Sequence, residues 1–389
     1  MIATSMIIRK EAFFIRQHTT FLTILKQLVT EEEIKEILRR HEYEEVARRF
    51  TVTALLHFLV TAALQQWKSF RHGADVGEGH GLFGCHYSTV SKKAGEVPFG
   101  IIKEIFTLFC SRCNRQLRRK CNFPKELLLI DSTTVTVGKT RLLWAPYHGE
   151  RAGVKLHTAL QLSTQIPQKV VETTGLKHDS PMLDELANKD CIVVADRAYF
   201  QIERSDRFCQ EGQPFVIRLK TNVELTQRKS LKRVVSEDSN IVNDFTAKLG
   251  TEQNRSDRRH RIVEFTDYEG KNIRVITNLY STSAETVAAI YKARWGVELF
   301  FRWIKQNLNV PRLFGTTKNA VYNQLFAALL AYVIVTFVYT ALAPKVKYQR
   351  LSLLSFLRKL LSYQLPLEWQ VVIQLFCLAD PLSFLGIAG

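Results

Sequence analysis

Three carboxylates stand where they can do chemistry. Asp131 follows the apolar run LLLI (127–130), Asp196 follows VVA (193–195), and Glu298 lies within YKARWGVELFFRWIK (291–305). A carboxylate just past a buried apolar strand sits at the rim of a sheet, facing a crevice. Either aspartate alone can cap a helix or bind a turn amide. Three converging acids are different, because their hard oxygen donors suit Mg²⁺, which needs few protein ligands. Two such ions can activate water or a 3′-hydroxyl and stabilise the leaving oxygen in phosphoryl transfer. Paired carboxylates also serve glycoside hydrolysis, but the charges around them point to a phosphate substrate.

Those charges lie on the same stretch as Glu298. Residues 291–305 contain no Pro and a single Gly, and their dense apolar periodicity predicts one helix. Tyr291, Arg294, Glu298 and Lys305 then fall within an arc of about 60°. Ala293, Val297, Phe300, Phe301 and Ile304 make a separate apolar face. Taken alone, the stripe also reads as a surface salt-bridge face, since Arg294 and Glu298 are an i,i+4 pair.

With the two aspartates added, the sequence resembles the bacterial DDE transposases of the IS-four type. The spacing Y-x2-R-x3-E-x6-K at Tyr291, Arg294, Glu298 and Lys305 is theirs, and Asp131 and the ADRAY around Asp196 match their other two acids. The resemblance runs over residues 126–310. It implies an α/β fold with a ribonuclease-H-like core, a mixed sheet flanked by helices. It implies Asp131, Asp196 and Glu298 as catalytic ligands of two Mg²⁺ ions, with Mn²⁺ as a substitute. It implies cut-and-paste transposition, in some members through a hairpin intermediate, with Tyr291, Arg294 and Lys305 on the phosphates near the cut. The DNA partners are the terminal inverted repeats and the target, and a homodimer is expected because two ends are cut together. Some relatives stack a flipped base on a Trp in their β insertion. Here the tryptophans are 67, 144, 295, 303 and 369, so Tyr268 or Trp295 is left for that role. Trp303 is assigned to the core.

The elements that position these residues follow from the texture of the chain. Residues 1–125 read as a helical DNA-binding region. Residues 126–222 read as β-β-β-α-β-α-β, the first part of the core. Residues 223–282 are polar, with strands at RIVEFTDY and NIRVITNL joined around Glu269–Gly270, and read as a β-rich insertion. Residues 283–315 carry Glu298, and 316–389 form a C-terminal helical region. In detail, 31–50 reads as one amphipathic helix, the glycine-rich 72–84 as a turn region, and Ser88 and Ser180 as helix caps.

A formal net charge of +17 over 389 residues points to a polyanionic partner, most often nucleic acid. Arg112, Arg115 and Arg119 form one basic helical face, Lys92 and Lys93 sit on a helix of the kind that enters a major groove, and Arg258 and Arg259 lie in an arginine-rich run of the insertion. Each is equally readable as solvated charge. Lys155, His157, His178 and Asp179 lie near strand ends and read as structural groups first. Seven scattered cysteines fit reduced thiols and a cytoplasmic, nucleoid-associated protein; Cys110, Cys113 and Cys121 read as free thiols in preference to a zinc site. No secretory signal shows at residues 1–17. The apolar stretch 325–343 is membrane-span length but reads as a buried core helix, so no membrane partner is expected. Two other functions remain: a non-catalytic DNA-binding relative, against which three intact acids count, and a structure-specific nuclease on the same core.

Overall fold

A computed structural model describes residues 28–117, 122–231 and 239–378. The chain forms two compact units, Met1–Arg118 with Arg302–Gly389, and Arg119–Phe301. The stretch read for a secretory signal, residues 1–17, lies outside the described residues, as do Arg119 and Cys121.

The first unit is helical. α1 (Glu31–Arg40) opens on a capping box, in which Thr30 Oγ1 accepts from Glu33 N and the Glu33 carboxylate accepts from Thr30 N. It stops at Arg40, short of the predicted residue 50. Glu42 turns to a φ of 49°, and the Glu45 carboxylate accepts from the amides of Ala47 and Val52, holding the segment open. α2 (Val52–Leu64) is capped by Thr51. The glycine-rich segment is mostly helical, not the turn region predicted: α3 (Phe70–Val76) runs into a 3-10 turn, Gly77–His80. Gly73 serves packing there, since a Cβ would lie 2.4 Å from the Phe58 ring. α4 (Tyr87–Glu96) is capped by the His86 ring, which accepts from Ser88 N; Ser88 is not the cap. α5 (Phe99–Gln116) buries Cys110 and Cys113 as free thiols.

The second unit is built on one nine-stranded sheet in the order β3-β2-β1-β4-β5-β9-β8-β7-β6. Its strands are β1 (Glu126–Gly138), β2 (Arg151–Gln161), β3 (Pro167–Thr174), β4 (Cys191–Ala195), β5 (Phe215–Arg218), β6 (Leu225–Ser230), β7 (Ile241–Leu249), β8 (His260–Thr266) and β9 (Asn272–Thr277). Its helices are α6 (Met182–Leu186), α7 (Ile202–Glu211), α8 (Ala284–Ala293) and the start of α9 (Trp295–Asn307). β1, β2 and β3 pair antiparallel, and β1, β4 and β5 pair parallel. This is the ribonuclease-H-like arrangement in the order read from the sequence. β6 to β9 are antiparallel and join the same sheet, because β9 pairs with β5. The core is apolar on the faces of the central strands, with Leu128, Ile130, Val193, Phe215 and Ile217 all at most 1% exposed. Ser180 does not cap α6. Pro181 takes that position, and Ser180 Oγ accepts from Arg204.

The chain then returns to the first unit through the rest of α9. It continues with α10 (Lys318–Leu342), α11 (Leu353–Leu361) and α12 (Leu367–Leu378). The helix over Lys318–Lys345 is long and apolar enough to cross a membrane, but 89% of its apolar window is buried inside the protein. Asn323 on α10 donates to the carbonyls of Ala94 and Val97, while its Oδ1 is buried without a hydrogen-bond partner.

Candidate active site

β1 and β4 bring the two aspartates together. Their parallel ladder ends at the pair Ile130↔Ala195, so Asp131 and Asp196 are the next residues on adjacent strands. Asp131 does not end its strand, as the apolar run suggested. β1 continues to Gly138 paired with β2, and Asp131 stands opposite Thr158. Only the parallel pairing stops, and that opens the crevice. Asp196 leaves β4 into the 3-10 turn Arg197–Tyr199.

Glu298 arrives from the first turn of α9. The predicted single helix over 291–305 is two helices meeting at Arg294. The junction carries i→i+3 hydrogen bonds, Arg294 N to Tyr291 O and Val297 N to Arg294 O, each 3.1 Å, which tighten the backbone locally. Gly296 lets α9 approach β1, since a Cβ there would lie 3.0 Å from Leu129 Cδ1.

The side chains then interlock. Tyr291 Oη donates to Asp196 Oδ1 at 3.2 Å. Arg294 bridges two acids, with Nη2 2.5 Å from Glu298 Oε1 and Nη1 3.8 Å from Asp131 Oδ2. Arg218 Nη1 lies 3.8 Å from Asp196 Oδ1. Sequence reading missed Arg218, although its signal was present: it closes the apolar run FVI on β5 as the aspartates close theirs. Burial pushes Asp131 up to about 6; the Ser132 amide and Arg294 oppose this, and Glu298 and Asp196 reinforce it. Beside it, Asp179 Oδ1 accepts from Ser132 Oγ at 2.7 Å and from Lys155 Nζ at 3.2 Å, with His157 Nδ1 at 3.4 Å. His157 is fully buried, and desolvation lowers it to about 4.

An all-oxygen donor set short of positive charge suits a hard divalent cation. With Arg294 between Asp131 and Glu298, no three His, Cys, Asp or Glu side chains among the described residues converge closely enough to hold an ion. The residues fit the metal by chemistry and charge, with Arg294 now lying between two of the acids.

The other predicted residues are scattered. Lys305 is part-buried further along α9, and desolvation lowers its pKa. Trp295 is 49% exposed. Trp303 is half-buried and packs edge-on against the buried Tyr332. Lys92 is exposed and 3.8 Å from Glu96. Lys93 is buried, with Nζ 2.6 Å from Glu45, so as placed it is a structural cation and not a groove contact. Arg112 is likewise engaged, by Glu33 and the Leu28 carbonyl. Arg115 is exposed. Arg258 is exposed, while Arg259 donates to the carbonyls of Gln227 and Thr246. Arg261 and His260 are fully buried on Asp244 and Asp206. Tyr268 is 91% exposed beside the β8–β9 turn.

Comparison with known proteins places this chain in a family. Residues 122–334 match the family described as "Transposase DDE domain". The chain is 56% identical to the probable transposase for insertion sequence element IS5377 of Geobacillus stearothermophilus, over 91% of this chain and 94% of that one. It is 28% identical to the putative transposase for insertion sequence element IS4SA of Synechocystis sp., over 64% and 70%. A putative transposase of Sinorhizobium fredii is 30% identical over 60% and 66%. The chain belongs to the DDE transposases of bacterial insertion sequences. It is thus an enzyme of DNA cleavage and strand transfer, with DNA as its partner.

Proposed function

We propose that Asp131, Asp196 and Glu298 are the catalytic acids and hold two divalent cations, Mg²⁺ or in its place Mn²⁺, at the ends of an insertion sequence. Bound there, the cations would supply an activated nucleophilic oxygen and charge stabilisation for in-line phosphoryl transfer. The observation that carries this reading is the interlock: three carboxylates from β1, β4 and α9, joined by Arg294 and Tyr291 in one crevice.

The chain's own groups then have distinct tasks. Asp131 on β1 and Asp196 just past the end of the adjacent β4 are held by a rigid sheet and fix the position of the cut. Arg294 neutralises Glu298 in the resting site and turns to a phosphate oxygen when DNA and cation arrive. Tyr291 exchanges its hydrogen bond to Asp196 for the same purpose, and Lys305 follows along α9. Arg218 is a further cation on this rim. Trp295 offers an aromatic face to a displaced base, the role a hairpin step would need. Arg115, Lys92 and Arg258 remain available as exposed cations for the DNA backbone. The helical segments flanking the core bind DNA, and two copies act together on two ends in the cytoplasm, at the nucleoid.

The test is direct. The protein is incubated with its own element's terminal repeats and Mg²⁺, and end cleavage and strand transfer are followed. Wild-type binding without cleavage would sink the enzyme reading of the site. Cleavage that survives Glu298→Ala would sink the assignment of Glu298.

A further inference from the structure

Tyr199 stands three residues after Asp196, at the end of the 3-10 turn. It is 1% exposed, and its hydroxyl, closed off from solvent, makes no hydrogen bond. Burial pushes its pKa well above the usual phenol range, and Asp131, Asp179 and Asp196 each add to the rise, so the phenol lies among three carboxylates. The Ser132 hydroxyl, which donates to Asp179 Oδ1 at 2.7 Å, lies near the phenol but not in hydrogen-bonding geometry with it. Asp179 Oδ1 is already crowded by Lys155 Nζ and His157 Nδ1.

The backbone of the residue is pinned. Arg204 Nη1 donates to the Tyr199 carbonyl at 2.8 Å, and the same guanidinium is held by both oxygens of Asp184 and by Ser180 Oγ. A buried O–H without a partner destabilises the fold that contains it. The aliphatic and aromatic core around β4 has no need of a phenol there, since phenylalanine fills the same volume.

We propose that Tyr199 is a further catalytic residue, whose O–H is held ready to donate to an oxygen brought in between Asp131 and Asp196 when the site is loaded. That oxygen is either hydration water of a divalent cation or a phosphodiester oxygen of the DNA end. The inference rests on the reading of Asp131 and Asp196 given above. It goes beyond that reading by adding a second phenol, buried and unpaired, to a site of acids, arginines and Tyr291.

The test is Tyr199→Phe in the full chain, which removes only the unpaired hydroxyl. The melting temperature stays equal or rises, and end cleavage falls about tenfold or more, the usual scale for a lost donor in a closed site. Mn²⁺ affinity without DNA, by electron paramagnetic resonance, and end-DNA affinity in EDTA separate the two sources of the oxygen. A fall of about fivefold in the first marks hydration water, and a like fall in the second marks the phosphodiester. A clear drop in melting temperature would show that the hydroxyl has a structural partner and overturns the proposal. So would wild-type values in cleavage and in both affinities. Asp196→Asn is measured alongside. If it cleaves like wild type, the site reading itself has failed; if it is inactive while Tyr199→Phe is normal, only the role of Tyr199 has failed.

Discussion

Asp131→Asn should stabilise the metal-free protein at neutral pH while abolishing cleavage. The Asp131 carboxyl is raised from 3.8 to about 6, first by burial, and its side chain is only 26% exposed. Its folded-state value lies above its unfolded one, so the folded state holds the proton longer. Stability is therefore lost as pH rises from about 4 to above 6. At ~1.36 kcal/mol per tenfold, the full loss is about 3 kcal/mol. Asparagine does not titrate, and its Oδ1 can keep the hydrogen bond from Ser132 N that Asp131 accepts at 2.8 Å. The variant and the wild type should thus be nearly equal near pH 4 and diverge above pH 6, with the variant about 3 kcal/mol more stable by pH 7.5 at the upper limit. Denaturant unfolding in EDTA at several pH values measures this through the midpoint. Added Mg²⁺ should stabilise the wild type at pH 7.5 and leave the variant unchanged. A difference that is flat across pH, or a variant less stable at pH 7.5, refutes the argument that burial and like charge strain this carboxylate.

The β-rich extension should depend on one buried ion pair. Asp244→Ala strands Arg261, whose side chain is fully buried and held at 2.7 Å; a loss of about 3–5 kcal/mol is expected in the unfolding free energy. Lys93→Ala should cost about 1–3 kcal/mol by removing the cation that neutralises Glu45, which keeps the amides of Ala47 and Val52, without changing the salt dependence of DNA binding. A drop of about one in that slope for Lys93→Ala would restore Lys93 as a phosphate contact.

The acids were legible because each ends or interrupts a pattern. Asp131, Asp196 and, unnoticed, Arg218 follow runs of residues buried on both faces of a sheet, and such runs have few readings. The helix of Glu298 was legible as helix but not as two. A hydrophobic period records which side faces the core, and it is blind to a pair of i→i+3 bonds at Arg294. Two of the basic candidates, Lys93 and Arg112, are engaged within the fold, and were illegible for another reason. Lys93 meets Glu45 across 48 residues and Arg112 meets Glu33 across 79, and no local pattern reports a partner so far away. The glycines before residue 84 misled because glycine has two uses, turning a chain and admitting a neighbour, and Gly73 is there to admit Phe58 and Trp67.

The balance of charge in the crevice gives the proposed mechanism its internal logic. Asp131, Asp196 and Glu298 face two guanidiniums, Arg294 and Arg218, and only the contact from Arg294 to Glu298 is within hydrogen-bonding distance. A 3.8 Å contact is too long to compensate a desolvated carboxylate fully, which is why Asp131 remains raised despite it. Moving Arg294 to a phosphate would remove even that compensation. The move is therefore favourable only if another positive charge takes its place at the same time. On the proposed reading, cation and DNA load cooperatively, and neither alone should bind the wild type as tightly as the pair. Measured as the change in end-DNA affinity on adding Ca²⁺, that coupling should be positive in the wild type and should shrink in Arg294→Ala, where no guanidinium has to be displaced. An Arg294→Ala protein whose coupling is undiminished would show that Arg294 does not hold the cation's place.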